Sequence, residues 1–212
     1  MGQDQIDAFN SELRKAVLEF EIEELTEEQT SQLVRHYAML RRWNQRLNLT
    51  RITEPRGAAR LHYAESLFGA RFIGEARTLV DIGSGAGFPA LPLAVARPDV
   101  QVTALESNQK KSLFLKEAKD ELALSNLDVM TARLEELNCD GYELLTSRAL
   151  DRAEAILPAL IQELSPTQRL MLYCGADLVA MIEKSGGADF SIETHSIPES
   201  EARFIAIVSR NS

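Results

Sequence analysis

The sequence predicts an α/β fold on a seven-stranded, mostly parallel sheet, and three observations carry that prediction. Residues 78–88 read TLVDIGSGAGF, an apolar strand running into three alternate glycines, Gly83, Gly85 and Gly87, with Pro89 placed to open a helix with its φ already set. Downstream, short apolar runs alternate with segments of helical period, as a parallel sheet with crossover helices requires. The last two runs, 191–197 and 202–208, are joined by a connection too short for a parallel crossover, so the sheet is expected to end in a hairpin.

At 212 residues with 45% hydrophobic content, the chain can bury one good core and carry a small additional element. No run approaches the apolar length needed to span a bilayer, and the start, MGQDQIDAFN, is polar and acidic where a secretory signal is basic and then apolar. A cytoplasmic protein without membrane attachment is expected. Cys139 and Cys174 are far apart and lack CxxC spacing or nearby histidines, so neither a disulfide framework nor a metal site is indicated.

The net charge of −9 argues against indiscriminate nucleic-acid binding, but it is unevenly spread. Residues 1–34 hold nine acidic and two basic residues, whereas residues 35–77 hold nine arginines and three glutamates. The planar guanidinium fork suits phosphate, so this block reads as a nucleic-acid track. A solvated helix face paired with the acidic segments explains it equally, and charge alone leaves both open.

Element by element, residues 5–20 place Ile6, Phe9, Leu13, Val17 and Phe20 at helical spacing, an amphipathic helix. Thr26-Glu27-Glu28-Gln29 is a capping box opening a second helix, with Leu33, Tyr37, Leu40, Trp43 and Leu47 on its core face. Asn48-Leu49-Thr50 breaks that pattern, and Thr53-Glu54-Pro55 starts another helix, which carries His62. A lone histidine without a partner at ligand spacing is read as a contact residue rather than a metal ligand. Beyond the glycine turn, strands are expected at 100–105, 127–131, 143–147 and 169–173, and helices at 108–122, 151–164 and 176–184.

A glycine turn after the first strand and an acid after the second serve two cofactor classes. The nicotinamide fingerprint needs a third glycine where this chain has Phe88. Glu106, after the second strand, can accept both hydroxyls of a ribose. With the terminal hairpin, these residues favour an S-adenosylmethionine site over a dinucleotide site.

Five segments together resemble the bacterial small-subunit (16S) ribosomal RNA guanine-N7 methyltransferases, the glucose-inhibited division protein B family: Trp43-Asn44 with Asn48-Leu49-Thr50, His62 within LHYAESL, VDIGSGAGFP from Val80 to Pro89, Ala132-Arg133-Leu134-Glu135-Glu136, and Ser147-Arg148-Ala149. The resemblance runs from about Leu33 to Val208 in the family's order. It implies a class I (Rossmann-like) methyltransferase domain over 77–212 with an antiparallel last strand, and an N-terminal helical extension over 1–76 packed on it. It further implies S-adenosylmethionine contacts at Asp81, Gly83, Gly85, Phe88, Glu106, Leu134, Glu135 and Arg148. RNA contacts are expected at Asn48, His62, Arg133 and Arg203, with Arg148 also a candidate against the target base. Ribosomal RNA or the small subunit is the expected partner, and a monomer the expected state. The chain departs from the family at Cys174, where a lysine is usual, at Glu65, where aspartate is preferred, and at Ala90, a common glycine. Guanine N7 carries an in-plane lone pair and no proton at neutral pH, so no general base is assigned. Because side chains do not read the deep RNA major groove, the target guanine is expected to be unpaired or extruded. Two other readings stand beside this one: a small-molecule methyltransferase whose arginine block is structural, and a non-catalytic RNA-binding assembly protein that kept the fold.

Overall fold

The apolar stripe of the first segment winds into α1 (Gln3–Glu19), burying Phe9, Leu13, Ala16 and Val17. The capping box forms as its residues dictate: the Gln29 amide donates to Thr26 Oγ1 at 3.1 Å, and the Thr26 amide donates to Gln29 Oε1 at 2.8 Å. It opens α2 (Glu27–Leu47), which ends on Asn48 in the left-handed region. The computed structural model describes residues 2–148 and 153–211. Ala149 and the expected helix start at Asp151 therefore lie outside the described residues.

Aromatic packing joins these helices to the rest. Phe9 stacks on Tyr37 with ring centroids 3.9 Å apart and meets Tyr63 edge-on. Trp43 is half-buried and packs edge-on against Phe114, 5.7 Å away. After α2, Pro55 starts α3 (Pro55–Ala58), which runs without interruption through a π-helical turn (Ala59–Ala64) into α4 (Glu65–Phe68).

The sheet comprises β1 (Thr78–Ile82), β2 (Gln101–Leu105), β3 (Leu127–Met130), β4 (Leu144–Ser147), β5 (Arg169–Gly175), β6 (Phe190–Ser196) and β7 (Arg203–Arg210). Between them run α5 (Ala90–Ala96), α6 (Gln109–Glu121), α7 (Ala153–Gln162) and α8 (Ala176–Gly186). The order is β3-β2-β1-β4-β5-β7-β6, with the first five strands parallel. The expected terminal hairpin inserts β7 antiparallel between β5 and β6, with Ala206 opposite Leu172 on one side and Thr194 on the other.

Period-two alternation divides the core. From β5, Met171 and Tyr173 join the layer beneath α1 to α6, whereas Leu170, Leu172 and Cys174 join the layer beneath α7 and α8. Cys174 is therefore an apolar-layer residue: its thiol is buried against the Phe204 carbonyl, and burial pushes its pKa up to about 11.

The arginine block is split in use. Arg35 pairs with Glu28, Arg60 with Glu19 and Glu199, and Arg77 with Asp99, while Arg71 donates to the Glu21 carbonyl. Among the described residues, Arg42, Arg46, Arg51 and Arg56 form no ion pair and are exposed. Among the described residues, no helix is long and apolar enough to cross a membrane.

Candidate active site

A cleft of about 510 Å³ opens at the carboxyl ends of the parallel strands, within the size range of small-ligand sites. Its wall follows the strand order. Leu134 and Glu135 come after β3, Glu106 after β2, Gly83 and Gly85 after β1, and Arg148 after β4, with His62 and Thr50 beside it.

Glu106 is buried, and two backbone amides aim its carboxylate. Its Oε2 accepts from the Gly85 amide at 2.9 Å and its Oε1 from the Asn108 amide at 2.8 Å. Each carboxylate oxygen keeps acceptor capacity for a ribose hydroxyl. The two glycines of the turn divide their tasks. A Cβ at Gly85 would meet only the Gly83 carbonyl, 3.8 Å away, so the space before it is open to a ligand. A Cβ at Gly87 would lie 2.1 Å from Leu91 Cδ1 in α5. Helix packing, which the nicotinamide fingerprint gives to a third glycine, falls here to Gly87, and this frees the next position for Phe88.

Phe88 is the floor of the far end. His62 stacks on it at 4.8 Å, and the Arg148 guanidinium lies 5.2 Å from its centroid. The π-helical turn gives His62 this position, as such turns do at many functional sites. Its carbonyls are held from outside: Arg148 Nη1 donates to the Leu61 carbonyl at 2.8 Å, and Ser66 Oγ to the His62 carbonyl at 2.6 Å. Arg148 Nη2 also reaches His62 Nδ1 at 2.9 Å. Burial, with the nearby Arg148 charge, lowers the His62 pKa to about 4, so its ring is neutral at pH 7.

Some expected residues stand apart from the cleft. Asp81 is fully buried beneath the turn, where its Oδ2 accepts from the Ala90 amide at 3.2 Å. Arg203, at the start of β7, is ion-paired with buried Glu65. Asn48 terminates α2 and is exposed. Among the described residues, none of these three lines the cleft, whereas Arg133, Leu134 and Glu135 do. Lys111, Thr50 and, behind it, Asn44 were given no role on sequence. The six-residue step from Asn44 to Thr50 carries no helical or strand period, so the family resemblance alone links the two in sequence.

Burial outweighs the Arg203 charge and raises Glu65 to about 7, and burial likewise raises Asp81 to about 7. A carboxyl with a raised folded pKa lends stability below its unfolded pKa and loses it as pH climbs through the folded value. Buried His36, lowered to about 3, and His62 act oppositely, since their contribution is present above pH 6.5 and is lost as pH falls through their folded pKa values. The two linkages compete between about pH 4 and 7. Urea unfolding of Glu65→Gln, which mimics the neutral acid, is expected to gain on the wild type by about 1–3 kcal/mol between pH 5 and pH 8. An equal difference at both pH values would contradict the raised pKa.

The glycine turn, the acid after β2 and the sheet order define a class I methyltransferase, an enzyme that uses S-adenosylmethionine, and the cleft residues fit that cofactor. The family model described as GidB, rRNA small subunit methyltransferase G, matches residues 29–205. The ribosomal RNA small subunit methyltransferase G of Roseiflexus sp. (strain RS-1) is 34% identical over 199 residues, covering 88% of this chain and 85% of that protein. The protein of the same name from Solibacter usitatus (strain Ellin6076) is 38% identical over 152 residues, covering 71% and 72%. In fold, the chain is similar to the ribosomal protein L11 methylase from Lactobacillus delbrueckii subsp. bulgaricus, with a TM-score of 0.55 at 16% identity over 72% of this chain and 79% of that one. The chain belongs to the GidB family, rRNA small subunit methyltransferase G.

Proposed function

We infer that the protein transfers a methyl group from S-adenosylmethionine to N7 of a guanine in small-subunit ribosomal RNA. The observation that carries this reading is a single cleft whose two ends differ in chemistry. Glu106, held by two backbone amides, stands at one end. At the other, Arg148, His62 and Thr50 adjoin a segment bearing Arg46 and Arg51, which are exposed and form no ion pair among the described residues. When bound, S-adenosylmethionine supplies an electrophilic methyl group. Glu106 holds the ribose, Gly83 and Gly85 let the backbone approach the nucleoside, and Leu134 and Glu135 flank the adenine. Arg148 braces the methionine end from beside β4. Neutral His62 takes no proton from N7, which has none to give, and the site's task is orientation and exclusion of water. Arg133 and the exposed arginines clamp phosphates, and the protein acts on RNA as a monomer in the cytoplasm. The helical segment 1–76 serves as an extension on a catalytic domain of residues 77–212, and it contributes His62 and Thr50 to the cleft.

Incubation with labelled S-adenosylmethionine and protein-free ribosomal RNA or assembled small subunits tests the reading, with N7-methylguanine as the expected product. Its absence from every ribosomal substrate would overturn it. RNA engagement should weaken steeply with salt, which separates RNA from a neutral small substrate. Glu106→Ala is expected to raise the cofactor dissociation constant about ten- to a hundredfold, measured by calorimetry. An unchanged constant would mean the ribose is placed wrongly.

A further inference from the structure

Four separated sequence segments converge on one hydroxyl. Asn44, from α2, clamps the Thr50 backbone, with Nδ2 donating to the Thr50 carbonyl at 2.8 Å and Oδ1 accepting from its amide at 2.8 Å. Arginine can only donate, so the 2.9 Å contact from Arg148 Nη2 makes His62 Nδ1 an acceptor and puts the ring proton on Nε2. His62 Nε2 therefore donates to Thr50 Oγ1 at 2.8 Å. The Ile52 amide donates to the same oxygen at 3.1 Å. Both acceptor positions of Thr50 Oγ1 are then filled, and its own O–H is left as a donor. Among the described residues nothing accepts it, and Thr50 lines the cleft. The lowered His62 pKa keeps this polarity at neutral pH.

The place of this donor follows from the order of the cleft wall. With the nucleoside held toward β3 and β2, the wall beyond Arg148 is where the methyl acceptor sits. Resting on the function inferred above, we propose that the Thr50 hydroxyl determines base specificity by donating to O6 of the target guanine, beside the reacting N7. Guanine presents two acceptors on this edge, whereas adenine presents N7 and an amino donor. A locked donor pairs with guanine and meets adenine donor to donor, the arrangement by which polar sites reject analogues. His62 and Arg148 act through Thr50 here as positioning residues, and Asn44 fixes its backbone.

The test uses the full-length protein and ribosomal RNA carrying either guanine or 2-aminopurine, which lacks O6 but keeps N7, at the position the wild type methylates. The wild type should favour guanine by about ten- to a hundredfold in kcat/KM. Thr50→Val should lose that factor on guanine while falling little further on 2-aminopurine, and Thr50→Ser should restore it. Cofactor affinity, measured by calorimetry, should be unchanged in both variants, which also reports an intact fold. Equal losses on both RNAs would make Thr50 merely structural. A weakened cofactor affinity in Thr50→Val would turn the hydroxyl toward the cofactor instead. Either result, or wild-type activity in Thr50→Val, overturns this proposal alone. A wild type that methylates no ribosomal guanine at N7 overturns the functional reading and this proposal with it.

Discussion

Arg148→Ala is expected to lower kcat/KM at least about a hundredfold, the scale on which misplacing a reacting group by about 1 Å acts. Arg148 holds the π-helical turn at the Leu61 carbonyl, fixes the His62 tautomer at Nδ1 and lies over Phe88. Without it, His62 Nδ1 and the Leu61 carbonyl lose their donor, at a cost of about 1–3 kcal/mol for each group that stays buried and unpaired. Its charge also holds down the already raised carboxyls of Glu65 and Asp81, so both are driven further toward the neutral acid. Arg148→Lys should rescue little, because an ammonium is a point charge and the two contacts need a fork. Steady-state kinetics beside far-ultraviolet circular dichroism separate the outcomes. Turnover within a few-fold of wild type in Arg148→Ala would remove the residue from the machinery.

The parts of this molecule legible in sequence are those whose cause is local. The capping box at Thr26 and Gln29 is a three-residue exchange of hydrogen bonds, so its letters suffice to place the start of α2. The terminal hairpin is a matter of chain length, because a parallel crossover cannot be made in the residues between β6 and β7. The π-helical turn is invisible, because a shift from i→i+4 to i→i+5 bonding confined to residues 59–64 is too short a run to show as a period of its own. The functional wiring is harder still, since Arg148 and His62 are 86 residues apart and neither letter implies the other. The same distance explains the arginine block. Arg60 is taken up by Glu19 and Glu199, 41 and 139 residues away, whereas Arg46 and Arg51 meet no carboxylate among the described residues, and only the fold decides which.

Gly87→Ala should cost about 2–5 kcal/mol of unfolding free energy, a sum of backbone strain and overpacking. The residue has φ +89°, where an L side chain is strained, and its new Cβ would sit 2.1 Å from Leu91 Cδ1, 2.9 Å from Leu91 Cγ and 3.3 Å from Leu115 Cδ2. Leu91 and Leu115 are fully buried in α5 and α6, so relief at one displaces the other. Gly85→Ala provides the contrast. Its φ of +56° carries strain of about 1–2 kcal/mol, but its Cβ meets open space. Under the proposed function that space takes the nucleoside, so Gly85→Ala should weaken S-adenosylmethionine binding more than it weakens the fold. Urea unfolding and calorimetric cofactor titration of both variants should give opposite rankings in the two measurements. The same ranking in both would mean the turn does not divide packing from binding between its glycines, and the reason Phe88 can replace a third glycine would have to be found elsewhere.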